Sequence, residues 1–316
     1  RRDWNVQDVL NFVRANGSDK ETLNVVYVVD DKGKLIDDIR MREFLLAPLD
    51  KQVSEMLDEN FVSLPVHADK EAAVEVFKKY NRTALPAVDS DEHLVGIVTV
   101  DDVLQVQEEE TTEDIQKIGG MEALDEPYLE ISLLQMVKKR AGWLVILFVG
   151  EMLTATAMGF FEHEIAKAVV LALFVPLIIS SGGNAGSQAS TLIIRSMALG
   201  EVTLATWWRV MKREIITGLS LGCILGVIGF MRIAGWTLFS DIYGAYWLLV
   251  AFTVSFSLIG VVLWGSLAGS MMPFILKKFG ADPAASSAPF VATLVDVTGL
   301  VIYFSVAFMI LRGTLL

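Results

Sequence analysis

The chain of 316 residues is 53% hydrophobic and 20% charged, with a net charge of −12; ordinary soluble domains hold roughly 45–50% apolar and about 25% charged residues. The imbalance is local, since residues 1–140 carry 30 Asp/Glu against 17 Lys/Arg and residues 141–316 carry 8 against 9. An acidic half joined to an apolar half excludes a uniformly globular enzyme, and its acidic surface disfavours nucleic acid as a partner.

The chain opens Arg1-Arg2-Asp3-Trp4 with neither an initiator Met nor an apolar leader, so it reads as beginning partway through a longer protein. The acidic half then repeats itself at an offset of 59 residues. Val26-Tyr27-Val28-Val29-Asp30 through Leu35-Ile36 aligns with Leu85-Pro86-Ala87-Val88-Asp89 through Leu94-Val95. Each copy is a short β run, an acidic turn, a second β run and a helix (Met41–Leu46, Asp101–Gln107). Amphipathic helical patterns precede the two copies, at about 5–14 and 70–79. Two such units, 1–60 and 61–107, resemble paired cystathionine-β-synthase-type (CBS) modules. Gly96, Thr99 and Asp102 in the second copy are similar to that family's G-x-x-T-x-x-D signature. The resemblance implies a Thr99 hydroxyl facing a phosphate, an Asp102 carboxylate facing a ribose, and ATP as a candidate ligand. The first copy has Asp37, Arg40 and Glu43 at those places, so only the second is expected to hold a nucleotide in the usual way. The alternative is a pair of structural repeats with no ligand.

Residues 101–130 hold eleven acidic residues and one basic residue, Lys117. Such a run is often a solvated helix face. Between a regulatory-looking module and a membrane domain it also suits a sensor, because a divalent cation relieves the repulsion among crowded carboxylates. Oxygen-only ligands favour hard cations such as Mg²⁺ or Ca²⁺.

The apolar half reads as five spans. Residues 141–161 contain one charge, Glu151, and residues 165–181 contain Lys167, where Pro176 and the Gly-rich stretch after it suggest a span either broken or continued to about Met197. The third span runs from about Trp207 to Met231, the fourth covers 242–276 without a charge, and the fifth covers 283–311 with one charge, Asp296. With the N-terminal half cytoplasmic, this count puts nine Lys/Arg inside, beginning with Lys138-Lys139-Arg140. Lys167, Arg232 and Arg312 fall outside. That asymmetry follows the positive-inside rule and places the C-terminus outside, in a multi-pass protein of the plasma membrane.

A carboxylate in mid-span is costly and marks a bundle interior, a watery path or a partner. Asp296 shares a small, polar face with Pro289, Thr293 and Gly299. The bland alternative is a protonated structural Asp bonded to a neighbouring helix. In Ser180-Ser181-Gly182-Gly183-Asn184-Ala185-Gly186-Ser187-Gln188 the glycines disfavour a continuous helix. Irregular backbone there offers carbonyls to a cation or its waters; the alternative is close helix packing, the role assigned to Gly218, Gly222, Gly226, Gly265 and Gly269. Glu151 reads as structural, hydrogen-bonded to another helix, with a place facing the lumen as the alternative. His163 reads as a solvated loop residue between Glu162 and Glu164, and His67 and His93 lack partners by spacing.

This arrangement resembles the MgtE family of magnesium channels. The motifs that carry the resemblance are Pro176-Leu177 with Gly182 through Thr191, and Pro289-Phe290-Val291-Ala292-Thr293-Leu294-Val295-Asp296-Val297-Thr298-Gly299. The resemblance implies an α+β cytoplasmic CBS pair joined by a long connecting helix to an all-α membrane domain of five transmembrane helices per subunit. It implies a homodimer in the lipid bilayer with the pore on its two-fold axis, and no catalysis. Mg²⁺ would bind between the Asp296 carboxylates of two subunits, with Gly182, Gly183, Asn184, Ala185, Gly186, Thr293 and Gly299 lining the pore. A plug helix is expected at about Thr111–Lys139, within a connector of 108–140 that leads into a pore domain of 141–316. The family's usual N-terminal helical domain is missing from this sequence, and the first CBS module starts truncated. Asp89, Asp91, Asp114, Glu122 and Asp282 are the expected sensors of cytoplasmic Mg²⁺, and influx is downhill because no phosphate-binding G-x-x-x-x-G-K-[ST] motif occurs. The competing readings are a secondary divalent-cation transporter coupled to H⁺ or Na⁺, and a membrane-anchored nucleotide-sensing scaffold.

Overall fold

The computed structural model describes residues 1–58 and 60–315, in two compact units, Arg1–Thr111 and Thr112–Leu316. The side chain of Lys167, one of the charges expected outside, lies beyond the described residues.

In the first unit, helix α1 (Val6–Asn16) starts where Asn5 and Asp8 cap each other's backbone N–H groups at 2.9 and 3.1 Å. Strands β1 (Val25–Val29) and β2 (Leu35–Arg40) form an antiparallel hairpin, followed by α2 (Met41–Leu46). The second copy is β3 (Leu64–Pro65), α3 (Lys70–Tyr80), β4 (Ala84–Val88), β5 (Leu94–Thr99) and α4 (Val100–Ile118). There β4 pairs parallel with β3 and antiparallel with β5.

The repeat extends to local geometry. Both hairpins slip register at equivalent points, Val28/Val29 and Ala87/Val88. Both turns place a left-handed residue at the same step, Gly33 at φ 86° and Glu92 at φ 67°. The two turns then exchange hydrogen bonds, Leu35 N–H to Glu92 O at 3.0 Å and Leu94 N–H to Gly33 O at 3.1 Å. Two small cores sit behind the hairpins, one around Val6, Val28 and Phe44, the other around Leu64, Phe77 and Leu85. Across the copies, Arg82 pairs with Asp38 at 3.1 Å. Burial raises the Asp38 pKa despite that guanidinium.

The expected helix over Thr111–Lys139 is interrupted. α4 stops at Ile118, and the chain turns through Gly119 and Gly120, the latter at φ +74°. Glycine adopts that left-handed backbone without the Cβ clash that ends a helix for other residues. Turns follow until Ser132 and Gln135, capping each other's backbone, start α5 (Leu133–Phe160).

After α5 come two short helices, α6 (Glu162–Lys167) and α7 (Val169–Ala172), then α8 (Val175–Ala198), α9 (Trp207–Trp236), α10 (Trp247–Lys278) and α11 (Ala288–Leu311). Among the described residues, five segments are long and apolar enough to cross a membrane: Leu133–Phe160, Val169–Ala198, Leu204–Trp236, Gly244–Lys278 and Ala288–Leu311. The second is broken ahead of Pro176, which occupies the first turn of α8, where a missing N–H costs no helical bond. The Tyr303 hydroxyl donates to Leu171 O at 2.8 Å beside that break.

The Gly-rich stretch is helical, contrary to the irregular backbone expected from its composition. Tertiary packing explains why its low propensity is overridden. α10 is the central helix, packed by α8, α9 and α11, and α8 crosses it backbone to backbone. A Cβ on Gly265 would collide with Gly182 O, and one on Gly269 with Gly186 O. In lipid, where no hydrophobic drive joins helices, such close approach is the main source of their attraction. Gly218, Gly222 and Gly226 seat α9 against α10 in the same manner, as their spacing predicts.

Candidate functional site

Asp296 lies at the middle of α11 and is half-buried. Among the described residues its carboxylate makes no hydrogen bond and no ion pair. Two motifs far apart in sequence meet at it. A methyl placed on Gly183 would lie 3.5 Å from Asp296 Oδ1 and 3.4 Å from Ala292 Cβ, so the glycine leaves α8 backbone directly beside the acid.

The remaining pore-lining expectations divide by geometry. Gly182, Ala185 and Gly186 are buried, with Gly182 and Gly186 packed against α10 and α11 and not bordering open space. Gly299 is buried against Val261 of α10. Asn184 is exposed on α8, its amide 3.4 Å from Ser180 Oγ. Thr293 donates to Pro289 O at 3.1 Å and turns its methyl toward Gly150 of α5. Exposed Ser180, Asn184, Gln188 and Thr191 follow one helical stripe along α8, an unusual surface at membrane depth.

Glu151, which the sequence leaves between a structural role and one facing the lumen, is exposed on α5. Like Asp296 it sits at mid-span, and in a five-span chain the first and last spans run in the same direction.

The start of α11 is anchored by Ser187 Oγ to Ala288 O at 3.0 Å and Ser190 Oγ to Ser286 O at 2.8 Å. Gly120 sits on Pro289 and Ser287 there. Asp282, just upstream, accepts from Ala284 N–H at 2.8 Å and from Lys117 Nζ at 2.6 Å. Lys117 also reaches Glu113 at 2.6 Å. Burial disfavours the ammonium, but the bonds to Asp282 and Glu113 outweigh it, and the Lys117 pKa is raised. Lys117, the basic residue of the acidic run 101–130, therefore holds one of the expected sensor carboxylates. Asp114 is half-buried on α4, and Glu122 is exposed with its Oε1 beside Gly142. The structure does not bring Asp114, Glu122 and Asp282 into one metal cluster; among the described residues no group of three or more His, Cys, Asp or Glu could hold an ion.

In the CBS unit, Asp89 organises its own turn. It accepts from Asp91 N–H at 3.0 Å and His93 N–H at 2.8 Å, with His93 Nδ1 at 3.3 Å, so His93 does have a partner. The His93 backbone bond is the main reason its pKa is lowered. Asp91 is exposed. Asp102 accepts from Thr99 N–H at 2.9 Å and Thr99 Oγ1 at 2.8 Å, closing the start of α4. Those two bonds, the backbone one first, lower its pKa.

A profile described as "Divalent cation transporter" (MgtE) matches residues 175–306, and a CBS-domain profile matches 53–109. The chain is 39% identical over 313 residues to the magnesium transporter MgtE of Thermus thermophilus, covering 99% of this chain and 68% of that protein. It belongs to the MgtE family. The MgtE protein of Enterococcus faecalis is 32% identical over 302 residues, with 95% of this chain and 64% of that protein covered. The chain thus spans about two thirds of the length of these curated relatives, which are named as transporters and not as enzymes. A solved structure of the cytosolic domain of the Mg²⁺ channel MgtE in complex with ATP is 39% identical, with 34% of this chain and 43% of that chain covered and a TM-score of 0.33. Membership in the MgtE family, with the five apolar helices, makes this a multi-pass membrane protein carrying CBS sequence.

Proposed function

We propose that this chain conducts Mg²⁺ downhill through a homodimeric pore in the plasma membrane, with the N-terminus cytoplasmic and the C-terminus outside. The observation that carries the reading is the half-buried, unpartnered Asp296 in mid-α11 against the bare backbone of Gly183. Mg²⁺ sheds water reluctantly. Two Asp296 carboxylates, one from each subunit, would hold the hydrated ion through its waters while leaving it able to depart. Exposed Asn184 and half-buried Thr293 would meet the same water shell.

Gating is proposed as linkage: cytoplasmic Mg²⁺ stabilises whichever state binds it more tightly. Asp89, Asp91, Asp114, Glu122 and Asp282 are the proposed contributors, each weakly, with Mg²⁺ accumulating in the closed state. Residues 1–60 and 61–107 act as CBS modules in this account, 108–140 as connector and 141–316 as pore domain. ATP is proposed at Thr99 and Asp102. Mg²⁺ uptake into proteoliposomes tests the pore. Asp296→Asn keeps size and removes charge, so uptake should be lost with the dimer intact.

A further inference from the structure

Glu151 and Thr154 lie one turn apart on α5, and Thr154 is the residue that this helix buries. At 7% exposure its hydroxyl has no hydrogen-bond partner among the described residues. Four other threonines in these spans do use theirs. Thr156, Thr253, Thr293 and Thr298 each return their hydroxyl to the carbonyl four residues earlier, at 2.8–3.1 Å. A buried hydroxyl left unused is costly, and a partner from outside the chain would relieve that cost.

Two contacts set α5 against α11. Gly150 lies against Thr293, where a Cβ would come within 2.8 Å of the threonine methyl. Eleven residues further along both helices, the rings of Phe161 and Phe304 stack at 4.7 Å. α5 and α11 therefore run parallel and in step. At about 1.5 Å rise per residue, the level of Asp296 falls between exposed Glu151 and buried Thr154.

We propose that Glu151 and Thr154 complete, with Asp296, a site within one subunit for a hydrated divalent cation. The inference rests on the reading of Asp296 as part of the ion path. Two carboxylates and one hydroxyl are too few to strip the ion, so waters fill the remaining positions, as suits Mg²⁺. The ion would supply a positive charge near two acids at one depth, exposed Glu151 and half-buried Asp296, and a water for the Thr154 oxygen. Glu151 thereby adds a second carboxylate to the path at the depth of Asp296.

The test uses Mg²⁺ uptake by the full chain in proteoliposomes, with hexaamminecobalt(III), whose ammine shell is not shed, as the hydrated-ion probe. Glu151→Gln should raise the half-blocking concentration by about threefold or more, as expected for losing one unit charge several ångströms away. Glu151→Asp should restore it, which a purely steric role would not require. Thr154→Val should shift it in the same direction without changing charge, and decides the matter if Glu151→Gln fails to fold. Unchanged block in Glu151→Gln or, failing that, in Thr154→Val, with uptake lost in Asp296→Asn, overturns this site and leaves the path through Asp296 standing. Wild-type uptake by Asp296→Asn overturns both.

Discussion

Lys117 donates to Asp282 at 2.6 Å, tying the last turn of α4 to the loop that enters the Asp296 helix. Glu113 shares the same ammonium. An intramolecular cation thus lies between the two acids. Lys117→Gln should leave Glu113 and Asp282 uncompensated, so that added Mg²⁺ stabilises the variant more than the wild type. Thermal denaturation of the detergent-solubilised chain with and without Mg²⁺ checks this. Equal stabilisation of the two proteins would show that Lys117 shields no cation site.

Replacing Asp114, Glu122 and Asp282 together with their amides should leave conduction intact and raise the cytoplasmic Mg²⁺ needed for closure. Each exposed acid is worth at most about 1 kcal/mol, so the effect is expected from the set and not from any one of them. Uptake measured against internal Mg²⁺ reads it. Closure at the wild-type concentration would reduce the three to a solvated surface.

The crossing of α8 and α10 makes a sharper structural prediction. Gly269→Ala drives a methyl into Gly186 O and should cost about 1–3 kcal/mol, the usual penalty for overpacking. Gly235→Ala meets no atom within 4 Å and serves as the control. Comparable melting of the two variants would mean that the crossing is looser than described.

How much of this was legible in advance depended on how local the determinants are. The CBS hairpins were, because alternation and the Asp30 and Asp89 turns are set within a few residues, and α1, α2 and α3 fall where the periodicity predicts them. The spans were legible from length and charge alone. The helical state of Gly182 through Gly186 was not, because helix propensity cannot register a neighbour such as Gly265 that brings the backbones together. The break after Ile118 was written in Gly119-Gly120, but the acidic pattern on either side drew attention away from it. Within the candidate site, Asp296 announced itself by its cost in lipid, whereas the matching depth of Glu151 needed the in-step pairing of α5 with α11.

Acid should weaken the CBS unit. The folded pKa values of Asp89 and Asp102 lie below the ordinary aspartate value, so their stabilisation is present above the unfolded pKa of about 3.9. It is lost as pH falls through the lowered folded values. Asp89→Asn keeps the turn's oxygen acceptor and should flatten the acid limb of a stability–pH curve while changing little at pH 7. An unchanged acid limb would exclude Asp89 as a contributor.

Asp102→Ala removes the acceptor for Thr99 and opens the start of α4, a loss of about 0.5–2 kcal/mol for a helix cap. If the second CBS copy binds nucleotide, millimolar ATP should stabilise the wild type and fail to stabilise this variant. Absence of any ATP shift in the wild type would leave Thr99 and Asp102 as a capping pair only.

Single-channel recording in planar bilayers, with Mg²⁺ as the sole permeant cation, tests the conduction path most directly. The wild type should show discrete unitary currents that close as cytoplasmic Mg²⁺ rises, and Asp296→Asn should show none. Mg²⁺ uptake without unitary currents in the wild type would indicate a carrier, and unaltered currents in Asp296→Asn would contradict a path through that carboxylate.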